Sequence, residues 1–558
     1  MRTITAAFFA FYLTTFVDAQ TNLLSGKASE LQLKEMLPTF GNWKPFPNAG
    51  DRDAWESLPE KQRAAAIIAG EEALEHNWPA LKATHFLDYV RTGDRNRYQR
   101  ERGQRRNNLS RLVAAECVEG KGRFVDQIAN GVWAMCEETW WGVPAHVRQS
   151  AGRGLPDRNE PNVALFSAET AAQLAWTLYM VGSQLEEVSP LIVLRVQSEI
   201  DRQILTPALE RDDFWWMGFG RARSLNNWNP WICSNWLATV LLVEQDKDRR
   251  VKSVAKIMRV LDNFLNPYPE DGGCDEGPGY WSRAGGSLFD CLDIMHSVTN
   301  GQFSVYDNGL VKDIGRFIYR VHIAGDYFVN FADASPKRRP GGDLVYRYGK
   351  AIDDQRMMTF GAWGDQRSTR RRGRIRIQSW RGLQALFNKN NLLELPAEEP
   401  LLRDVWLPHT QIFAARDRAG FRKGLYVAAK GGHNNESHNH NDIGNFVVYN
   451  NGLPLLIDVG VGTYTAKTFS SKRYEIWTMQ SAYHNLPTVN GVMQRQGRSF
   501  AAKDLVYNTN NSVSEFSLDI SSAYPEDANL ESWNRTIRLN RGKNVEIIDK
   551  YRTDNPAP

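Results

Sequence analysis

Three of the ten histidines in this chain fall within eight residues, in the run His433-Asn-Asn-Glu-Ser-His438-Asn-His440-Asn-Asp442. Imidazole transfers protons near neutral pH and ligates metals, so a cluster this dense points to one chemistry or the other. On an extended segment His438 and His440 would project from the same face, whereas a looped segment would separate them. The spacing therefore leaves open whether they share one chelate or perform two tasks. Asp458 follows eighteen residues after His440, a hairpin's length, and His484 stands in Ala482-Tyr-His-Asn-Leu-Pro487. Two histidines and one aspartate from neighbouring strands would make an N,N,O zinc site.

Two further constellations lie upstream. Ser224-Leu-Asn226-Asn227-Trp228-Asn229-Pro-Trp231-Ile-Cys-Ser-Asn235-Trp236 places four asparagines within ten residues. Asparagine is poor in helix interiors, so this reads as a helix start or a lined pocket. Neutral amides can hold a carboxylate there, and the tryptophans beside them can stack a sugar ring. The second is Gly272-Gly-Cys-Asp275-Glu276-Gly-Pro-Gly279-Tyr280-Trp281-Ser-Arg283. Its glycines free the backbone to hold Tyr280, Trp281 and Arg283 in a set arrangement. No GxGxxG follows a strand and no GK[ST] occurs, so nucleotide binding has no support.

The elements that must position these groups change character along the chain. Apolar residues recur at helical steps over 60–76, 109–117, 124–136, 168–181, 190–205, 236–243 and 251–265, with short Gly-, Pro- or Asn-bearing connections. Consecutive helices with short turns predict stacked helical hairpins. After about residue 400 the pattern becomes short β-branched and aromatic runs, at 411–416, 425–429, 445–449, 453–458 and 545–549. Asn450-Asn451-Gly452 is a hairpin turn. The expectation is an α-rich domain followed by an antiparallel β domain, and the position of the last strand leaves open whether that β domain is whole.

A chain of 558 residues is too long for one ordinary core, which agrees with two domains. The net charge of +4 permits an anionic partner without requiring one, and nothing points to nucleic acid. Arg2, the apolar run 6–16 and Val17-Asp18-Ala19 read as a cleavable signal peptide over 1–19. The mature protein is then expected to be exported, periplasmic or secreted, with no membrane span. Five cysteines without CxxC spacing suggest buried small hydrophobes rather than disulfides or a thiolate metal site. The run Arg370-Arg-Arg-Gly-Arg-Ile-Arg376 is either a solvated loop or an anion-binding rim.

Taken together, Asp275-Glu-Gly-Pro-Gly-Tyr-Trp281, Asn226-Asn-Trp228, Ser437-His-Asn-His-Asn-Asp442 and Tyr483-His-Asn485 resemble the heparinase II/III-like polysaccharide lyases. The likeness is to the branch with exo-acting oligoalginate lyases and exo-acting heparin/heparan sulfate lyases. Phe166-Ser-Ala-Glu-Thr170, Trp140-Trp-Gly-Val-Pro-Ala-His146 and Phe331-Ala-Asp333 add to it. The resemblance implies an incomplete (α/α) toroid over 20–400 and an antiparallel β-sandwich over 401–558. It implies that Tyr280 is the catalytic tyrosine, that Asn227 neutralises the uronate carboxylate and that His438 is an active-site histidine. It also implies one structural zinc per chain on His440, Asp458 and His484. Related enzymes often carry His directly after that Asn, where this chain has Trp228, so Asn226 and His146 stay open as alternatives. Glu276, Trp228, Trp281 and Arg283 complete the expected substrate-binding set.

The chemistry would be β-elimination on an acidic polysaccharide. An amide or imidazole donor stabilises charge developing on the uronate carboxylate as C5 loses its proton, and an acid protonates the departing O4. Tyr280 and His438 are the two proton-transfer groups, with the base undecided; a tyrosine base would need its pKa lowered by cations such as Arg283. Arg338, Arg339 and Arg370–Arg372 favour heparin or heparan sulfate over alginate, because guanidinium pairs with sulfate in a bidentate manner. The competing readings are a glycoside hydrolase, which needs two carboxylates facing one bond, and a non-catalytic glycan-binding protein.

Overall fold

The computed structural model describes residues 22–147, 154–220, 225–367, 375–387, 392 and 394–554. The expected leader, most of the basic run and the last four residues lie outside these.

Helices run from Glu30–Met36 to Trp380–Phe387, and the strands of the β region from Asp404–Leu407 to Asn544–Thr553. The long helices pack with their apolar sides inward. Helix Asn96–Glu119 buries Leu109, Leu112, Val113 and Cys117, and helix Leu165–Val188 buries Ala168, Ala171, Leu174 and Ala175 opposite. Small residues at these helical steps let the axes approach closely. The predicted segment 236–243 is the inner part of a longer helix, Trp228–Val243, whose N-cap is Asn227. All five cysteines are buried and free, as their spacing suggested.

Two larger antiparallel sheets follow, with a short two-stranded pair, His433–Asn434 and Gly497–Ala501, beside them. In the first, strands Asp404–Leu407, Ile412–Arg416, Leu425–Lys430, Phe446–Asn450 and Leu453–Leu456 lie in that order. In the second, Lys503–Thr509, Val513–Asp519, Leu530–Asn540 and Asn544–Thr553 are a simple meander. Phe413, Val427 and Val448 of the first sheet pack on Phe516, Ile537 and Leu539 of the second. The opposite face of the first sheet carries Ala414, Tyr426, Ala428 and Tyr449, which pack into the helical core. That sheet is covered on both faces, which is why its central strands read as unbroken apolar runs.

A short hairpin, His322–Ala324 with Tyr327–Phe328, sits within the helical half and escaped the sequence reading. It delivers the segment 329–334 to the sheet side, with Ala332 at φ +60°, in the left-handed region. Among the described residues no helix is long and apolar enough to cross a membrane.

Candidate functional site

The site forms where the glycine-rich loop of the helical half meets the histidine loop of the sheet half. Tyr280 and His438 stack, ring centroids 4.3 Å apart and planes 29° from parallel. His438 sits at φ +57°, a conformation that costs a non-glycine residue about 1–2 kcal/mol and is found where geometry has been set for function. The loop is therefore not extended. It turns at His438 so that both histidines reach a single carboxylate, Asp333.

Asp333 accepts from four groups. His438 Nδ1 and the Tyr464 hydroxyl lie 2.7 and 2.8 Å from Oδ2; His440 Nε2 and an Arg473 Nη2 each lie 2.9 Å from Oδ1. Burial disfavours the charge on Asp333, but these donors, with the Arg473 cation, outweigh it and hold its carboxyl far below the usual range. The Tyr464 hydroxyl is in turn 2.9 Å from the Tyr280 hydroxyl. Burial pushes the Tyr280 phenol up, against the opposing pull of its bond to Tyr464 and of nearby Arg338.

Asn227 stands at the start of its helix without using its side chain as a cap. Its backbone N–H and side-chain Nδ2 donate to the two oxygens of Glu276, at 3.2 and 2.6 Å. Burial raises Glu276 to about 7, with His438 opposing and Asp275 adding to the shift. Asn226 Oδ1 accepts from the Trp228 N–H at 3.1 Å, closing the turn before the helix. The His146 ring centroid is 4.5 Å from that of Trp228 and 5.2 Å from that of Phe166, to which it lies nearly parallel, and burial lowers its pKa to about 3. Arg283 lies 3.8 Å over the Trp231 ring and 3.4 Å from Glu169.

Two cavities flank the Tyr280 loop. One of about 720 Å³ is lined by Asn226, Asn227, Asp275, Glu276, Glu436 and Arg498 among others. The other, of about 1280 Å³, carries more basic than acidic groups in its wall: Arg283, Lys337, Arg338, Arg339, Arg376 and Arg381 against Asp326, Asp343 and Asp365.

Residues 400–558 match the family described as heparinase II/III-like, C-terminal. That match spans the sheet half alone. The chain superposes on a crystal structure of heparinase III with a TM-score of 0.59 and 13% identity, over 94% of this chain and 75% of that one. A heparan sulfate lyase HepC mutant from Pedobacter heparinus gives 0.54 and 14%, over 96% and 75%. At such identities the likeness establishes a shared fold, helical domain followed by antiparallel sheets. No curated protein matches.

Several residues expected at a substrate surface stand elsewhere. Trp281 is wholly buried, its indole N–H donating to the Ile314 carbonyl at 2.7 Å; it packs the core and cannot stack a sugar. Glu276 is 1% exposed and serves Asn227 instead of an open surface. Arg283 is spent on Trp231 and Glu169, and the Tyr280 phenol is pushed up, contrary to the idea that Arg283 depresses it.

The zinc set is placed together in part. His484 Nδ1 is 2.8 Å from Asp458 Oδ2, and the His440 and His484 rings are 5.4 Å apart. Asp458 also accepts from Asn445, Asn330 and the Gly460 N–H. Among the described residues no three metal-type side chains already converge as a cage. Yet His440 Nδ1 and His484 Nε2 are buried with no hydrogen-bond partner. Two orphaned imidazole nitrogens beside a carboxylate are the donor types a zinc ion takes, so these residues fit the metal.

Tyr464, Arg473 and the central place of Asp333 were missed from the sequence. Tyr464 had a signal, since Asp458-Val-Gly460-Val-Gly-Thr-Tyr464 is a second tyrosine on a glycine-rich loop. Asp333 had none beyond its short motif, because its partners are more than a hundred residues away.

Proposed function

We propose that this protein is a polysaccharide lyase that cleaves an acidic, uronate-containing polysaccharide by β-elimination. The observation that carries the reading is the convergence of Tyr280, Tyr464 and His438 on one another at the junction of the two halves. Asn227 is held nearby by Glu276, which His438 itself influences.

In this reading the substrate carboxylate meets the Asn227 amide, whose orientation Glu276 holds. That donor stabilises the charge that grows on the carboxylate as the C5 proton leaves. His438 uses its Nε2 as the base, since Nδ1 is taken up by Asp333. Tyr280, kept protonated by its burial, protonates O4 as the C4–O4 bond breaks. The products are a 4,5-unsaturated uronate and a new sugar hydroxyl, and no water is consumed.

A zinc ion on His440, Asp458 and His484 would act structurally, fixing the loop that carries His438. The basic cavity favours heparin or heparan sulfate over alginate, with exo action carried from the family likeness. The apolar leader at 1–19 supports export. A hydrolase is less well supported. Asp275 accepts from the Ser437 N–H, Glu276 from Asn227, Glu169 from Trp231, and Asp333 is saturated, so these carboxylates do not face a common bond.

The test is incubation of the purified protein with heparin, heparan sulfate, chondroitin sulfate, hyaluronan and alginate while ultraviolet absorbance is followed. A rise from the conjugated unsaturated uronate on at least one of them is expected. Chain shortening without that rise would contradict the reading.

A further inference from the structure

Among the described residues Asp333 is the one carboxylate that hydrogen-bonds both the proton-transfer group His438 and the metal-type residue His440. It comes from the helical half, on the segment that follows the small hairpin, and its side chain is fully buried. The same segment sends Asn330 to Asp458, 3.3 Å away, so it enters between the two parts of the sheet-side site. Ala332, just before Asp333, is held in a left-handed conformation that an alanine does not choose on its own. The surrounding structure therefore fixes where this carboxylate points.

We infer that Asp333 is a positioning residue that sets the tautomers of His438 and His440 and the direction of the Tyr280–Tyr464 hydrogen bond. This rests on the lyase reading above. A carboxylate with four donors around it can only accept. His438 must then carry its proton on Nδ1, leaving the Nε2 lone pair free. His440 must carry its proton on Nε2, leaving Nδ1 free, and that Nδ1 is the buried atom without a partner. Tyr464 has one hydroxyl proton and gives it to Asp333. The bond between the two tyrosine hydroxyls then has only one direction, with Tyr280 donating to Tyr464. A single side chain thus decides two histidine tautomers and the resting direction of the Tyr280 proton, which swings to O4 when substrate displaces Tyr464.

Asp333→Asn keeps the shape and replaces two acceptor oxygens by one acceptor and one donor. Its kcat should fall by roughly a hundred- to ten-thousand-fold with KM changed less than about threefold, the pattern of a base left in the wrong tautomer. The loss should be non-additive with His438→Ala: in that background Asp333→Asn should cost less than about threefold more. A merely structural Asp333 would give additive losses, and that result, or a kcat within threefold of the parent, overturns the inference.

Nitrogen-15 spectra of the unmutated, histidine-labelled protein at alkaline pH read the tautomer without altering Asp333, with the His438 signals assigned by their absence from His438→Ala. A proton on Nδ1 of His438 is expected; an Nδ1 without one overturns the inference. Failure of the lyase reading would look different, since the unmutated protein would then yield no unsaturated product from any uronate polymer.

Discussion

The Tyr280 and His438 rings stack at 4.3 Å although one belongs to the helical half and the other to the sheet half. Neither half alone holds both groups, so the active arrangement depends on how the sheet docks on the helices. The face of the first sheet that carries Tyr426 and Tyr449 is buried in the helical core, and this apolar contact fixes the docking.

Tyr280→Phe removes the hydroxyl and keeps the stacked ring. Turnover on a cleaved substrate should fall by roughly two to four orders of magnitude, with the melting temperature nearly unchanged. Near-normal turnover would reduce Tyr280 to a packing residue.

Asn227→Ala removes a donor used most strongly as charge develops, and kcat should fall by about a hundred- to a thousandfold. Glu276→Gln should lower it in the same direction but by less. Gln offers one acceptor where Asn227 needs two, so the amide is misaligned and not lost. Steady-state kinetics of both variants on one substrate check this; a silent Glu276→Gln would show that Asn227 needs no partner.

Glu276 also makes stability depend on pH. Burial raises its folded-state pKa to about 7, above the roughly 4.3 of an unfolded glutamate. The folded form binds the proton more tightly, so this contribution is fully present below about pH 4 and is lost as pH rises to about 7. A rise of that size corresponds to roughly 3–4 kcal/mol. Melting temperatures at pH 5 and pH 8 should drop less between the two for Glu276→Gln than for the parent. An equal drop would remove Glu276 as the cause.

Protein prepared without added metal should contain about one zinc per chain. His440→Ala and His484→Ala should lose it and melt at lower temperature, while His438→Ala should keep it. Elemental analysis decides; retention in His440→Ala together with loss in His438→Ala would reverse the two roles.

Much of this was legible from local patterns. The runs 411–416, 425–429 and 445–449 were visible because a strand covered on both faces is apolar throughout. Asn227 was legible as a helix start because asparagine disfavours helix interiors. The roles of Trp281 and Glu276 were not, since a motif shows residue types and not which way they face. Trp281 turns into the core and Glu276 towards Asn227. Asp333 and Tyr464 were hidden for another reason: their contacts join segments that only the docking of the two halves brings together.

Cleavage of the preferred polysaccharide in water enriched in oxygen-18 tests the central claim most directly. Elimination consumes no water, so the account predicts an ultraviolet-absorbing unsaturated end and no oxygen-18 at the newly formed ends beyond slow exchange at the reducing carbon. Incorporation of one oxygen-18 per cleavage, without the absorbing product, would contradict it and make the protein a hydrolase.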